Sequence, residues 1–215
     1  MGDETLARSY VPFCDAAALQ AWAALQRGNR RWAAGASRRP RQDPARRKQV
    51  AAEQSPYAVV LSCIDSRVPP EVVFDAGLGD LLVVRTAAHT VDRLVTAAVQ
   101  FGPQDLRASL VVVLGHQRCG AVIAAARALR ERETLPGELP SIVAALEPVY
   151  TGSSGEVDDG EVDDGEVDDG EVDDMVRAHI VRTVLGLRAD TLLSRKATVV
   201  GAYYSLDTGL VRRVA

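Results

Sequence analysis

A chain of 215 residues that is 47% hydrophobic suits one α/β domain with room for an insertion, and its three cysteines (Cys14, Cys63, Cys119) are too few and too scattered for a disulfide framework. No apolar run is long enough to span a membrane, and the acidic start Met1-Gly2-Asp3-Glu4 is unlike an export signal, so a cytoplasmic protein in a reducing compartment is expected. The net charge of −4 comes from one place: GEVDD repeated four times over 155–174 carries 12 of the 29 acidic side chains, leaving 25 Lys and Arg against 17 Asp and Glu elsewhere.

Asp15 is positioned as the N-cap of a helix from 16 to about 34, with Leu19, Trp22, Leu25 and Trp32 for its apolar face and Gly35 as its stop. The connection to Lys48 is dense in Arg, holds Pro40 and Pro44, and turns helical again near Arg46. These arginines lack the aromatic or Gly-rich pattern of a nucleic-acid module, so no nucleic-acid partner is expected. Residues 1–50 are expected to form an N-terminal helical arm and 51–215 one α/β domain. Four Val/Leu-rich runs without alternation, at 57–62, 81–85, 110–115 and 198–203, have the character of strands covered on both faces. Helical patterns at 91–101, 119–132, 140–149 and 175–187 separate them, which predicts a mostly parallel central β-sheet flanked by helices. The self-repelling repeat at 155–174 predicts a disordered insertion without contacts. Its spacing fits neither an EF-hand loop nor a calcium nonapeptide.

The first strand runs into Ser62-Cys63-Ile64-Asp65-Ser66-Arg67, and the third into Gly115-His116-Gln117-Arg118-Cys119-Gly120. Loops leaving the carboxyl ends of parallel strands gather at one edge, where ligand sites form. Cys63, His116 and Cys119 offer the thiolate and imidazole donors that zinc takes, with water as fourth ligand in an active site or Asp65 in a closed one. Cys119 opens a helix, where the dipole favours a thiolate. Arg67, two residues from Asp65, can hold that carboxylate in a bidentate pair, ionised and away from the metal. Zinc brings the pKa of bound water from 15.7 to about 7, giving a hydroxide able to attack a small electrophilic carbon. Two thiolates neutralise the metal, so activity should rise with pH. A purely structural zinc site fits the same ligands. His89 reads either as a proton shuttle or as a polar residue satisfying a loop. His179 reads as solvated, and Cys14 has no evident partner.

The pair Cys63-Ile64-Asp65-Ser66-Arg67 and His116-Gln117-Arg118-Cys119, about fifty residues apart, resembles the signature of the β-class carbonic anhydrases. The likeness extends to LQRGNRRWAAG (25–35), Gln54-Ser55-Pro56-Tyr57, Leu135-Pro136-Gly137 and GAYYSLDTGLV (201–211). It implies the β-carbonic anhydrase fold and one zinc per chain on Cys63, His116 and Cys119. It also implies a catalytic gate of Asp65 and Arg67, and substrate binding by Gln54 across a dimer interface and by Leu82, where the family usually has Phe. A homodimer or a higher assembly of dimers follows by the same likeness. The implied reaction is reversible hydration of carbon dioxide to bicarbonate and a proton by zinc-bound hydroxide. Related enzymes use the same fold on carbon disulfide or carbonyl sulfide, and a non-catalytic zinc scaffold or redox-sensitive binder stays open. Val60 stands where one branch places the Trp of a bicarbonate inhibition pocket, so the constitutively open type is expected although Arg85 and Tyr204 match other parts of that pocket. Thr86, Ala88 and His89 also depart from the usual Arg-Asn-Ala-Gly-Asn.

Overall fold

The computed structural model describes residues 15–150 and 168–215; Cys14 and residues 155–167 of the repeat lie outside the described residues. Strands β1 (Ala58–Cys63), β2 (Leu81–Thr86), β3 (Leu110–His116) and β4 (Thr198–Tyr204) run parallel in the order β2-β1-β3-β4. A short β5 (Val211–Arg213) returns antiparallel along β4. Every residue of β1 and β3 is buried, which is why their apolar runs do not alternate: helices cover both faces. Three residues with two arginines give no strand periodicity, so β5 was not expected as an element.

On one face, Ala18, Trp22 and Leu25 of α1 (Ala16–Ala33) pack on Val60, Leu110 and Val112. Asp15 caps α1 by accepting the Ala17 N–H, and Gly35 ends it at φ +67°. Leu19 is 53% exposed, because the stripe turned inward is Ala18, Ala21, Trp22, Leu25, Gly28 and Asn29. Gly28 is dictated by contact: a Cβ there would lie 1.8 Å from the Phe74 carbonyl oxygen. Asn29 then donates to the carbonyls of Val73 and Gly209 and accepts the Val211 N–H, tying α1 to β5. The Arg-rich connection, including α2 (Pro44–Gln49), is anchored by Asp75 and Asp80. Asp75 accepts from the N–H groups of Arg38 and Arg39 and from Arg31, and Asp80 pairs with Arg41. A short α3 (Pro70–Val73) follows β1.

The opposite face is covered by α4 (Arg93–Asp105), α5 (Gly120–Glu131), α6 (Pro140–Leu146), α7 (Asp169–Ala189) and α8 (Thr191–Ser194). Helix α7 starts at Asp169, the last residue of the third GEVDD copy, and runs through the whole fourth copy rather than starting at 175, which corrects the contact-free reading of the repeat for residues 169–174. Asp168 caps it by accepting the Gly170 N–H, Glu171 pairs with Arg130 at 2.5 Å, Asp173 accepts the Tyr203 hydroxyl, and Val172 is fully buried. Acidic residues suit a first helical turn because they face the positive end of the dipole; the core offered to Val172 does the rest. Val172→Ser should cost about 2 kcal/mol, which for a domain of this size lowers Tm by about 4–8 °C. An unshifted melting curve would show that this copy is not anchored.

Candidate metal centre

Adjacent strands β1 and β3 carry Cys63 and His116 to the same edge of the sheet, and Cys119 is the N-cap residue of α5. The ligand atoms of Cys63, His116 and Cys119 all lie within 4.8 Å of one another, and all three residues are buried. The two sulfurs are 3.8 Å apart. His116 Nδ1 is 2.9 Å from the Gln117 carbonyl, so Nδ1–H donates there and Nε2 carries the lone pair. That Nε2 is buried with no protein partner. A buried polar atom left so costs about 1–3 kcal/mol, and a soft cation between the two sulfurs and this nitrogen would remove the cost. The donor set is the one zinc prefers. Between themselves the sulfurs share a proton: the hydrogen bond from Cys119 holds the Cys63 thiol down at about 4, while that same bond and burial push Cys119 up. The N–H groups at the start of α5 pull Cys119 the other way, as a helix N-terminus should, but are outweighed.

Beside the donors, Asp65 is committed to Arg67. The guanidinium donates Nε to Oδ1 at 2.9 Å and Nη2 to Oδ2 at 2.7 Å, and the Arg67 N–H adds a third bond at 2.9 Å. These bonds hold the Asp65 carboxyl at about 2. Its Oδ2 still lies only 3.9 Å from His116 Nε2. Arg67 Nη2 also donates to the Arg118 carbonyl at 3.1 Å, and Arg118 is fixed in turn by an ion pair with Asp207. Arg85 was legible only as part of a possible inhibition pocket. It donates to the carbonyls of Cys63 at 2.8 Å and Asp65 at 2.6 Å, so it positions the loop bearing both residues. A lone arginine ending an apolar strand was the available signal.

Comparison with known proteins settles the ancestry. The family described as carbonic anhydrase matches residues 58–211, which include all three donors and the Asp65–Arg67 pair. The chain belongs to the β-carbonic anhydrase family. It is 48% identical over 117 residues to carbonic anhydrase 2 of Mycobacterium tuberculosis, covering 54% of this chain and 56% of that protein. It is 45% identical over 128 residues to the carbonic anhydrase of Mycolicibacterium smegmatis, covering 60% and 62%. The chain thus matches less than two thirds of the length of these relatives. The fold is shared with the Coccomyxa β-carbonic anhydrase solved with acetazolamide (TM-score 0.67, 22% identity, 94% of this chain and 87% of that one). It is shared too with one of the tetrameric β-carbonic anhydrases of Sordaria macrospora (TM-score 0.67, 20% identity, 91% and 98%).

Two family positions do not reach this chain's own centre. Leu82 sits beside Val59 in the sheet register, four residues short of the Cys63 row, or about 13 Å at 3.3 Å per residue. Gln54 is exposed and precedes β1 at the same far edge. The inhibition-pocket positions are otherwise engaged. Val60 is core, Arg85 holds the metal loop, and the Tyr204 hydroxyl accepts from Trp32 at 3.1 Å.

His179 is not solvated. It is buried on the inward stripe of α7 with Val172, Met175, Val176 and Ile180, and its ring lies 4.6 Å from that of buried His89. His89 Nε2 and both nitrogens of His179 lack partners, and burial lowers both groups, His179 to about 4. Burial favours neutral His89, and its Nε2 has no hydrogen-bond partner among the described residues, which fits the reading of a buried structural residue better than that of a shuttle. A folded value below the unfolded 6.5 means that the stabilising effect of neutral burial is complete above about pH 6.5 and lost as pH falls toward 4. The His179 shift corresponds to about 3 kcal/mol. The fall in Tm between pH 6.5 and 4 should be shallower in His179→Phe than in the parent; parallel curves would refute the assignment.

Proposed function

We propose that the chain catalyses the reversible hydration of carbon dioxide to bicarbonate and a proton, with one zinc ion held by Cys63, His116 and Cys119. The observation that carries this reading is the convergence of two sulfurs and the unpartnered His116 Nε2 beside a carboxylate that Arg67 holds aside. Zinc in this donor set supplies a Lewis acid and an activated nucleophile near neutral pH. Asp65, kept anionic, accepts and orients the proton donor at the reacting position, and Arg67 fixes its direction. Arg85 holds the backbone of the same loop. The related activities on carbon disulfide or carbonyl sulfide, and a silent zinc scaffold, share the donors but have no observation in their favour.

Gln54 and Leu82 serve the site of a second copy, and the surface that copy covers is the β2 edge. β2 is the outer strand, half-buried along its whole length, with its far side unpaired among the described residues. Nearby α4 exposes Leu94 (81%) and Phe101 (52%). An apolar open edge is an association surface. Leu94→Glu should yield a monomer by analytical ultracentrifugation and lose at least about tenfold in hydration rate, 1.4 kcal/mol, with zinc content unchanged. An active monomer would sink the shared-site arrangement. A cytoplasmic location fits the free thiols; among the described residues no helix is long and apolar enough to cross a membrane.

The deciding experiment is stopped-flow carbon dioxide hydration from pH 6 to 9 on protein of measured zinc content. A rate climbing with pH supports the reading. Full zinc occupancy without hydration would overturn it and direct assays to the sulfur-containing substrates.

A further inference from the structure

Behind the metal loop, on the side of β4 that faces α7, lies a cavity of about 210 Å³ with two arginines in its wall, Arg177 from α7 and Arg212 from β5. Neither guanidinium has a carboxylate partner among the described residues. Arg177 does not pair with Asp173 one helical turn earlier; it lies across the Tyr203 ring, 3.9 Å from its centroid. The Asp173 carboxylate accepts the Tyr203 hydroxyl on Oδ2 instead, while its Oδ1 is buried without a hydrogen-bond partner. The other acid close by, Asp207, is taken by Arg118 and Gln117. Ser205 is also spent, donating to Gln117 Oε1 and accepting the Thr208 N–H. The lining residues left with donors that no carboxylate takes up are Arg177, Arg212 and Thr208, whose hydroxyl only accepts in the structure.

We propose that this cavity is a binding site for a small oxyanion, separate from the metal centre. Among the described residues that line it, two cations against one carboxylate leave the pocket net positive. Paired guanidinium forks match the planar or tetrahedral oxygens of carboxylate, bicarbonate and phosphate. The volume is below the range that holds drug-sized ligands, so the occupant is an ion of a few heavy atoms. The site is wired to the metal loop. Gln117, in its wall, lies between His116 and Arg118, and the Arg118 carbonyl is a partner of Arg67. An anion drawing on Gln117 or the 205–210 turn therefore bears on the gate.

The test is isothermal titration of zinc-loaded full-length protein with inorganic phosphate at low ionic strength. Parallel titrations with bicarbonate and acetate identify the preferred oxyanion. One phosphate per chain should bind, and Arg212→Gln and Arg177→Gln should each weaken it at least about tenfold. Arg182→Gln, an exposed arginine of α7 outside the cavity, should leave binding unchanged. Arg212 is exposed, so its variant does not threaten the fold. No binding by the parent protein at millimolar phosphate would overturn the proposal. So would equal affinity in the parent and both cavity variants, which would place the ion on the zinc, or an equal loss in Arg182→Gln, which would reduce the effect to net charge.

Discussion

Arg67→Ala should keep close to one zinc per chain and lose about 10²–10³-fold in carbon dioxide hydration. Arg67 contacts none of the three donors in the structure; its bonds go to both oxygens of Asp65 and to the Arg118 carbonyl. Without the guanidinium the Asp65 carboxyl rises from about 2 toward its ordinary value, yet at neutral pH it remains an anion. It then lies 3.9 Å from the nitrogen offered to the metal, held only by the backbone N–H of residue 67 on Oδ1, and its free Oδ2 is a competent zinc ligand. The variant should therefore be occluded rather than metal-free. Cobalt substitution separates the two: the visible spectrum should change in Arg67→Ala and revert when Asp65→Ala is added. Parent-like turnover in Arg67→Ala would show that the pair is not a gate.

Cys63→Ser should reduce bound zinc to a small fraction of one per chain and abolish hydration. The site offers two thiolates and one imidazole, and replacing a sulfur by a neutral hydroxyl removes both a soft donor and a negative charge. Because a bound ion stabilises only the folded state, zinc should also raise the parent Tm by several degrees and leave that of the variant almost unmoved. Zinc retained at full occupancy in Cys63→Ser would mean that the metal is held elsewhere.

Much of this site could be read from local sequence, because its parts are local. Cys63, Asp65 and Arg67 lie within five residues, and His116 and Cys119 are separated by two, so spacing alone places them on one turn each. The strands were legible because central parallel strands carry unbroken apolar runs. What stayed hidden depends on partners distant in the chain. Arg85 meets Cys63 and Asp65 only through the β1–β2 pairing, Arg118 meets Asp207 across 89 residues, and β5 has too few residues for any pattern. His179 and the last GEVDD copy were misread for one reason: composition made the segment look solvated, whereas packing on β3 and β4 turned its Val172 and His179 inward.

The sequence by itself determined the α/β architecture, the Cys63, His116 and Cys119 cluster that could hold a metal and the Asp65–Arg67 pair, since hydrophobic periodicity and short-range spacing are properties of neighbouring residues. Only the tertiary structure decided that Asp65 is held beside the metal position rather than turned into it, that His89 and His179 form a neutral buried stack, and that Arg177 and Arg212 share an unneutralised cavity. Each of these is a balance of charge and burial between segments brought together by folding, and no local pattern encodes such a balance.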